Sequence, residues 1–137
     1  MTAADTWAAR LRTVRAMALL CAARILVATV PFRIWRKGLG RSGTAAAAPD
    51  PVAARRFAAQ VNRAGSRLPF TTKCLPRAMA LSWLLQYAGS PHRLVLAVRP
   101  PELRGGDDAL HAWIEVDGHI VLGDLPGPWL RLLDQGG

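Results

Sequence analysis

Cys74 lies at the predicted start of a helix, a position that suits a nucleophilic cysteine. Pro76 fits the first turn of this helix, which is predicted to run from Cys74 to about Ala88. The unpaired N–H groups of a first turn and the positive end of the helix dipole both favour a thiolate over a thiol. The same region can stabilise the oxyanion that forms when a thiolate attacks an amide carbonyl. The sequence therefore predicts Cys74 as a nucleophile, with the backbone N–H groups near Leu75 and Arg77 as oxyanion donors.

A predicted hairpin supplies the base and the group that orients it. Strands predicted at 110–116 and 119–124 flank Asp117-Gly118, a strong signal for a two-residue turn. Counted outward from such a turn, the predicted cross-strand pairs are Val116 with His119, Ile114 with Val121, and His111 with Asp124. Paired Cβ atoms lie about 4.5–5.5 Å apart, so a carboxylate can reach an imidazole nitrogen. We therefore expect Asp124 to hold the His111 ring while its other nitrogen activates Cys74.

Each of these residues alone has an ordinary structural interpretation. A single cysteine is usually a small buried side chain, and a single histidine is usually an ordinary surface or core residue. An aspartate at a strand end is usually solvated. The joint order of cysteine on a helix, then histidine and aspartate on adjacent strands, favours catalysis. Trp113 shares a strand face with His111 and is expected to form a wall of the substrate site. A zinc site is disfavoured because the three residues lack closely spaced ligand pairs, so no metal or cofactor is expected.

The N-terminal region at 1–37 is predicted to be mainly one helix, from Thr6 to about Val30. Apolar residues lie along one stripe of it, at three- and four-residue steps: Trp7, Leu11, Val14, Ala18, Cys21 and Ile25. We expect this helix to be buried against the rest of the domain or against a partner protein. Arg24 interrupts the longest apolar run, which disfavours a membrane span or a secretory signal. The basic, aromatic segment after Pro31 suits a membrane surface or nucleic acid, but inward packing of its aromatic side chains is favoured.

The remaining chain divides into a linker at 38–49 and a core at 50–137, within one compact domain. Gly, Ser, Thr and Ala residues dominate the linker. Asp50 caps a helix predicted at 52–64, and Gly65 is expected to end it in a left-handed conformation. A buried strand is predicted at 92–98, an exposed loop at 100–109, and little regular structure from Leu125 onward beyond a short turn at 129–133. The fold class is therefore α+β, with N-terminal helices and a catalytic helix packed on a small antiparallel sheet.

The net charge of +9 is distributed unevenly. Residues 1–73 carry thirteen Lys and Arg against two Asp, which gives +11, and residues 74–137 carry five Arg against seven Asp and Glu, which gives −2. The basic half indicates an acidic peptide, protein, nucleic acid or lipid partner, or simply solvated helix faces. The two cysteines do not form the dense pattern of a secreted disulfide-bonded domain, so a reducing cytoplasm is favoured.

Three segments resemble one protein family. They are LPFTTKCLPRAMAL at 68–81, RLVLAV at 93–98 and HAWIEVDG at 111–118, and VPFRIWR at 30–36 extends the likeness. The chain resembles the lasso-peptide leader peptidases, the "B2" proteins, which have a transglutaminase-like, papain-type fold. The resemblance implies a cytoplasmic cysteine protease that removes the leader from a lasso precursor during biosynthesis of a ribosomally made antibiotic peptide. The family's catalytic residues carry over onto Cys74, His111 and Asp124.

The same resemblance implies partners. The family acts on a precursor peptide, with a small leader-binding "B1" protein, before an ATP-dependent lasso cyclase closes the ring. Nucleic acid is not an expected partner, and peripheral membrane contact is not favoured. Two alternatives stay open: a transglutaminase-like acyltransferase that uses the same site, and a non-catalytic module whose basic N-terminal helices dock a peptide or protein.

Overall fold

The computed structural model describes residues 2–31, 34, 50–70, 73–103, 110–123 and 128–136. The predicted linker at 38–49 lies outside these residues. Within them the chain forms three α-helices, a short 3-10 helix at Pro101–Leu103 and four strands. The helices and strands are α1 (Ala3–Thr29), α2 (Pro51–Arg67), α3 (Cys74–Tyr87), β1 (Arg93–Val98), β2 (Leu110–Val116), β3 (His119–Leu122) and β4 (Leu130–Gly136).

The strands form one antiparallel sheet in the order β3-β2-β1-β4, and the helices cover one face of it. The three helices contact one another, and α3 lies against β1 and β2. The helix-facing side of the sheet contributes alternate residues to the main core: Leu94, Leu96, Ala112, Ile114, Val116 and Leu122. A smaller cluster on the opposite face contains Val95, Ala97 and Trp113, with Ile120 and Trp129 packed against it. The predicted α+β class is therefore confirmed.

The apolar stripe predicted on α1 is not the face that packs against the rest of the chain. Its large side chains are exposed, with Trp7, Leu11 and Ile25 at 62% and Val14 at 60% of their full accessible area. The opposite face is buried instead, through Thr13, Ala16, Leu20 and Ala23. The buried residues of α2 are also mostly small, namely Ala54, Ala58, Val61, Ala64 and Gly65. Small side chains let helix axes approach closely, and this explains why the less bulky face of α1 is buried.

Helix α2 begins as predicted and ends later than predicted. The Asp50 side chain accepts hydrogen bonds from the Val52 and Ala53 N–H groups, at 3.1 Å each. The helix does not end at Gly65, which is buried within it, but continues to Arg67. It ends at Leu68, whose backbone is extended (φ −76°, ψ 148°), because a residue that precedes proline disfavours the helical conformation.

The hairpin has the predicted turn but a different register. Val116 pairs with His119, and both turn residues have positive φ, at 51° for Asp117 and 76° for Gly118, as a type I′ turn requires. The register then shifts between Ile114 and Glu115, so that Ile114 pairs with Leu122. The predicted pairing of Ile114 with Val121 is therefore wrong. A β-bulge places one extra residue on one strand, and a count outward from the turn cannot detect it.

The C-terminal segment forms a strand, where little regular structure was expected. Strand β4 pairs with β1 along its whole length, with a register shift between Leu96 and Ala97. Without β4, the outer edge of β1 would present a row of unpaired N–H and C=O groups. Arg131 on β4 also forms an ion pair with Glu115 on β2, at 2.8 Å. Tertiary pairing thus gives structure to a short sequence that contains few strand-forming residues.

A buried polar chain joins the end of α3 to the start of β1. The Gln86 amide donates to Ser82 Oγ at 3.3 Å, and Ser82 Oγ lies 2.8 Å from His92 Nε2. His92 Nδ1 lies 2.9 Å from the Ser90 carbonyl, which can only accept, so this nitrogen carries the proton. In the neutral ring Nε2 therefore accepts from the Ser82 hydroxyl. Burial lowers the pKa of His92, and the weaker opposing effect on its pKa is the hydrogen bond to Ser90.

The lowered pKa of His92 predicts that the folded chain becomes less stable in acid. Because the pKa of His92 is lower in the folded chain, the unfolded chain takes up a proton first as the pH falls below about 6.5. The free energy of unfolding should therefore fall with pH from that point, until the folded form is also protonated. Denaturant titrations between pH 7.5 and 5 measure this slope. His92→Gln should flatten it, and His119→Gln, at an exposed histidine, should leave it unchanged. An equal slope in the wild type and His92→Gln would contradict the assignment.

Candidate active site

Cys74 is the first residue of α3, as predicted. Lys73 occupies the N-cap position in an extended conformation and makes no capping hydrogen bond through its side chain. Cys74 is half-buried, is a free thiol and packs partly against the main core. The thiol is therefore held at the positive end of a helix, where a negative charge on sulfur is stabilised.

A cavity of about 280 Å³ opens beside this thiol. Its lining residues come from α2, α3, β2, β3 and the residue that follows β3: Asn62, Cys74, Arg77, His111, Leu122 and Gly123. The structure therefore brings together two of the three predicted catalytic residues, Cys74 and His111, although 37 positions separate them in the sequence.

The His111 ring is fixed by a backbone carbonyl. Its Nε2 lies 2.6 Å from the oxygen of Gly123. A carbonyl oxygen can only accept, so Nε2 carries the proton and donates it. In the neutral ring Nδ1 then has a free lone pair, as a general base requires. The Gly123 carbonyl thus fixes the tautomer and the orientation of the His111 ring, a role that the sequence predicts for the Asp124 carboxylate.

Asp124 lies outside the described residues. The predicted pairing of Asp124 with His111 requires an unbroken register from the turn, and the bulge between Ile114 and Glu115 interrupts that register. Strand β3 also ends at Leu122, before the position of the predicted pair. Asp124 therefore stays a prediction that rests on the family resemblance and on its place directly after Gly123.

Two tryptophans contact the His111 ring. Trp129 stacks on it with centroids 5.3 Å apart and an interplanar angle of 27°, and Trp113 lies at 6.1 Å in a tilted arrangement. The Arg99 guanidinium lies 4.3 Å from the centre of the Trp129 ring. Trp113 is buried, donates to Glu115 at 2.9 Å and is not among the described residues that line the cavity. Both tryptophans thus limit the movement of the imidazole ring, and neither is among the described residues that line the cavity.

The first turn of α3 offers few backbone donors to an oxyanion. Pro76 has no N–H, and the Arg77 N–H donates to the Lys73 carbonyl at 3.4 Å. Of the two donors predicted from the sequence, the Leu75 N–H is thus the better placed, and the Arg77 N–H takes part in the helix. The Arg77 side chain has a separate role, because its guanidinium lines the cavity and donates to Asn62 Oδ1 at 3.3 Å.

Three residues of the site were not found from the sequence. Asn62 lies in an amphipathic helix without a motif, and Trp129 lies in a segment that was expected to be irregular. The signal for Gly123 was a glycine at the end of a predicted strand, which often marks a close backbone approach. Among the described residues, no group of three His, Cys, Asp or Glu side chains forms a candidate metal site.

Gly123 provides a test of the imidazole anchor. Its φ is +83°, and a Cβ there would lie 2.8 Å from the Ala112 oxygen and 3.2 Å from Trp113 Cβ. Gly118 has a similar φ of +76° but nothing within 4 Å of such a Cβ. We expect Gly118→Ala to lower the free energy of unfolding by about 1–2 kcal/mol from conformation alone. Gly123→Ala should lower it by about 1–3 kcal/mol more, because the backbone must also move.

The same pair of variants should differ at the active site. A shift of the Gly123 carbonyl weakens its bond to His111, so Gly123→Ala should slow alkylation of Cys74 by iodoacetamide, and Gly118→Ala should not. The measurements are chemical denaturation and peptide mapping of the alkylated thiol. Equal behaviour of the two variants would show that the Gly123 carbonyl does not hold the ring.

Comparison with known protein families places this arrangement in a wider group. A model of the transglutaminase-like superfamily matches residues 17–132, which includes Cys74, His111 and all four strands in whole or in part. No curated protein and no solved structure gives a significant match. This superfamily includes cysteine proteases and acyltransferases. Since the match covers most of the 137 residues, the chain belongs to the transglutaminase-like superfamily.

Proposed function

We propose that the protein is a cytoplasmic cysteine peptidase that removes the leader segment from a lasso-peptide precursor. The observation that carries the proposal is the shared cavity of Cys74 and His111, with the imidazole held by the Gly123 carbonyl so that Nδ1 has a free lone pair. The superfamily match supports thiol-dependent acyl chemistry, and the sequence resemblance at 68–81, 93–98 and 111–118 supports the leader peptidase.

Acylation begins when His111 Nδ1 takes the proton of the Cys74 thiol. The thiolate attacks the carbonyl carbon of the last leader residue, and the carbonyl electron pair moves onto oxygen. The Leu75 N–H is the proposed backbone donor to this oxyanion. When the intermediate collapses, the C–N bond breaks and His111 gives its proton to the departing amine. The released core peptide then has a new N-terminus, and the leader stays bound to Cys74 as a thioester.

Deacylation repeats these steps with water. His111 takes a proton from water, hydroxide adds to the thioester carbonyl, and the C–S bond breaks. The sulfur takes the proton back from His111, and the leader leaves as a carboxylic acid that gives its own proton to solvent. In this scheme the Gly123 carbonyl fixes the ring throughout, and Asp124 is the proposed carboxylate that stabilises the imidazolium form.

An acyltransferase differs from this peptidase only in the second step, where an amine replaces water. The thioester is common to both, so the products distinguish them: hydrolysis yields a free leader carboxylate, and transfer yields a conjugate of larger mass. A non-catalytic docking module would form no thioester at all, and its binding would survive the loss of Cys74.

The catalytic assignment predicts the effect of three substitutions. With a lasso-peptide precursor and a small leader-binding partner, Cys74→Ala and His111→Ala should each reduce leader removal by about 10³-fold or more. Cys21→Ala, at the other half-buried free thiol, should leave the rate unchanged. Mass spectrometry of the products measures both the rate and the chemistry. Undiminished cleavage by Cys74→Ala would refute the peptidase assignment.

The exposed stripe of α1 is the proposed contact site for the small leader-binding partner. Trp7, Leu11 and Val14 are each at least 60% exposed, and Arg10 and Arg15 flank the stripe at helical spacing. A large exposed apolar patch with charged borders is typical of a protein interface, and the arginines favour an acidic partner. No helix within the described residues is long and apolar enough to cross a membrane. The superfamily match begins at residue 17, so this part of α1 precedes the matched region.

A double variant on α1 and a control variant on another exposed surface test this contact. The double variant Trp7→Ser, Leu11→Ser should weaken partner binding by about tenfold or more, because each truncated anchor costs at least about 1 kcal/mol. Leu132→Ser, on β4 and 60% exposed, should bind the partner normally. Isothermal titration measures the affinity, and alkylation of Cys74 by iodoacetamide should be the same in all three proteins. Normal binding by the double variant would exclude this face of α1 as the interface.

A further inference from the structure

Among the residues that line the cavity, α2 contributes one polar side chain, Asn62. Asn62 lines the same cavity as the first turn of α3, where Cys74 and Arg77 are one helical turn apart. The Arg77 guanidinium joins the two helices by its hydrogen bond to Asn62 Oδ1, at 3.3 Å. The amide is therefore held by a cation that also borders the nucleophile's cavity.

This bond decides which way the amide points. A guanidinium has only donors, so the carbonyl oxygen of Asn62 must face Arg77. The amide nitrogen then faces away from Arg77, and among the described residues it makes no hydrogen bond within the protein. Asn62 is exposed to the cavity, so its two N–H donors are accessible to a molecule that binds beside Cys74.

The proposed acyl transfer at Cys74 depends on hydrogen-bond donors to the oxyanion. Tetrahedral intermediates of acyl transfer are usually stabilised by two or more hydrogen bonds, and each is worth a large factor in rate. In the first turn of α3, Pro76 has no N–H and the Arg77 N–H already donates to Lys73. Of the two backbone donors predicted, this turn then leaves the Leu75 N–H for the oxyanion, beside the N–H of Cys74 itself, and a side-chain donor would add to them.

We propose that the Asn62 side-chain amide is a second oxyanion donor and that Arg77 is the residue that positions it. The inference rests on the proposed function, since it requires Cys74 to attack a carbonyl. No bond changes at Asn62: its N–H donates to the oxygen while the C–S bond forms, and the hydrogen bond weakens when the carbonyl returns. Arg77 does not touch the reacting atoms.

Two small probes separate this role from a general effect on the thiol. p-Nitrophenyl acetate acylates a thiolate through a tetrahedral oxyanion, and release of p-nitrophenolate reports the rate. Iodoacetamide alkylates the same thiolate by displacement at a saturated carbon, without an oxyanion. Neither probe requires the precursor or the partner. A lost oxyanion donor must therefore slow the first reaction and leave the second unchanged.

Four variants are compared with the wild type. Asn62→Ala should slow acylation by about 100-fold with normal alkylation. Asn62→Asp should slow it at least as much, because it retains size and the Arg77 contact but replaces donors with acceptors. Arg77→Met should show a smaller loss of the same kind. Gln60→Ala removes an amide on the same helix that accepts from Arg15 and does not line the cavity, so both rates should be normal.

The possible outcomes are distinct. If both rates fall together in Asn62→Ala, which adds no charge beside the thiol, the residue acts on the thiol or the fold, and the proposal is overturned. If neither rate falls, it is overturned as well, while the proposed nucleophile stands. If wild-type Cys74 reacts with neither probe faster than Cys21 does, the proposed function itself fails. Thermal unfolding of each variant verifies that the rates belong to folded protein.

Discussion

The hydrogen bond from His111 Nε2 to the Gly123 carbonyl connects strand β2 to the chain that leaves β3, and the geometry of the candidate site depends on it. It requires a backbone oxygen to face the imidazole, and this in turn requires the left-handed conformation of Gly123. The residue also lies so close to Ala112 and Trp113 that a Cβ would require the backbone to move. A single glycine therefore sets the tautomer of the base and the orientation of its ring.

Helix α3 provides the second fixed part of the site. Most of its residues beyond the first turn are buried, and it packs against α1, α2, β1 and β2, so the thiol at its N-terminus has little freedom to move. Its far end is held by the polar chain from Gln86 through Ser82 to His92. Precise placement of reacting groups is worth several kcal/mol to a catalyst, and a buried helix between two helices and a sheet provides it.

Helix α1 has one face that packs within the chain and another that is exposed and is proposed to bind a partner. The fully buried face of the helix consists of small residues and one leucine, and the bulky side chains of Trp7, Leu11, Val14 and Ile25 stay exposed. A helix that is apolar on nearly all sides usually has neighbours on more than one side. The inner neighbours are α2 and α3, and the proposed outer neighbour is a leader-binding protein. The proposed partner contact would then use the face of α1 that does not pack against α2 and α3.

The sequence by itself determined the local features of this protein. Asp50 and Pro51 identified the start of α2, Cys74 and Pro76 the start of α3, and Asp117-Gly118 the turn, because caps and tight turns depend on the conformational preferences of a few adjacent residues. The motifs around Cys74 and His111 also identify these two residues as candidate catalytic groups. The tertiary structure alone decided the bulge beside Glu115, the inward face of α1, the pairing of β4 with β1 and the approach of Asn62 and Trp129 to the site. Each of these results from contacts between residues far apart in the chain, where packing and unpaired backbone groups, rather than local preference, select the conformation.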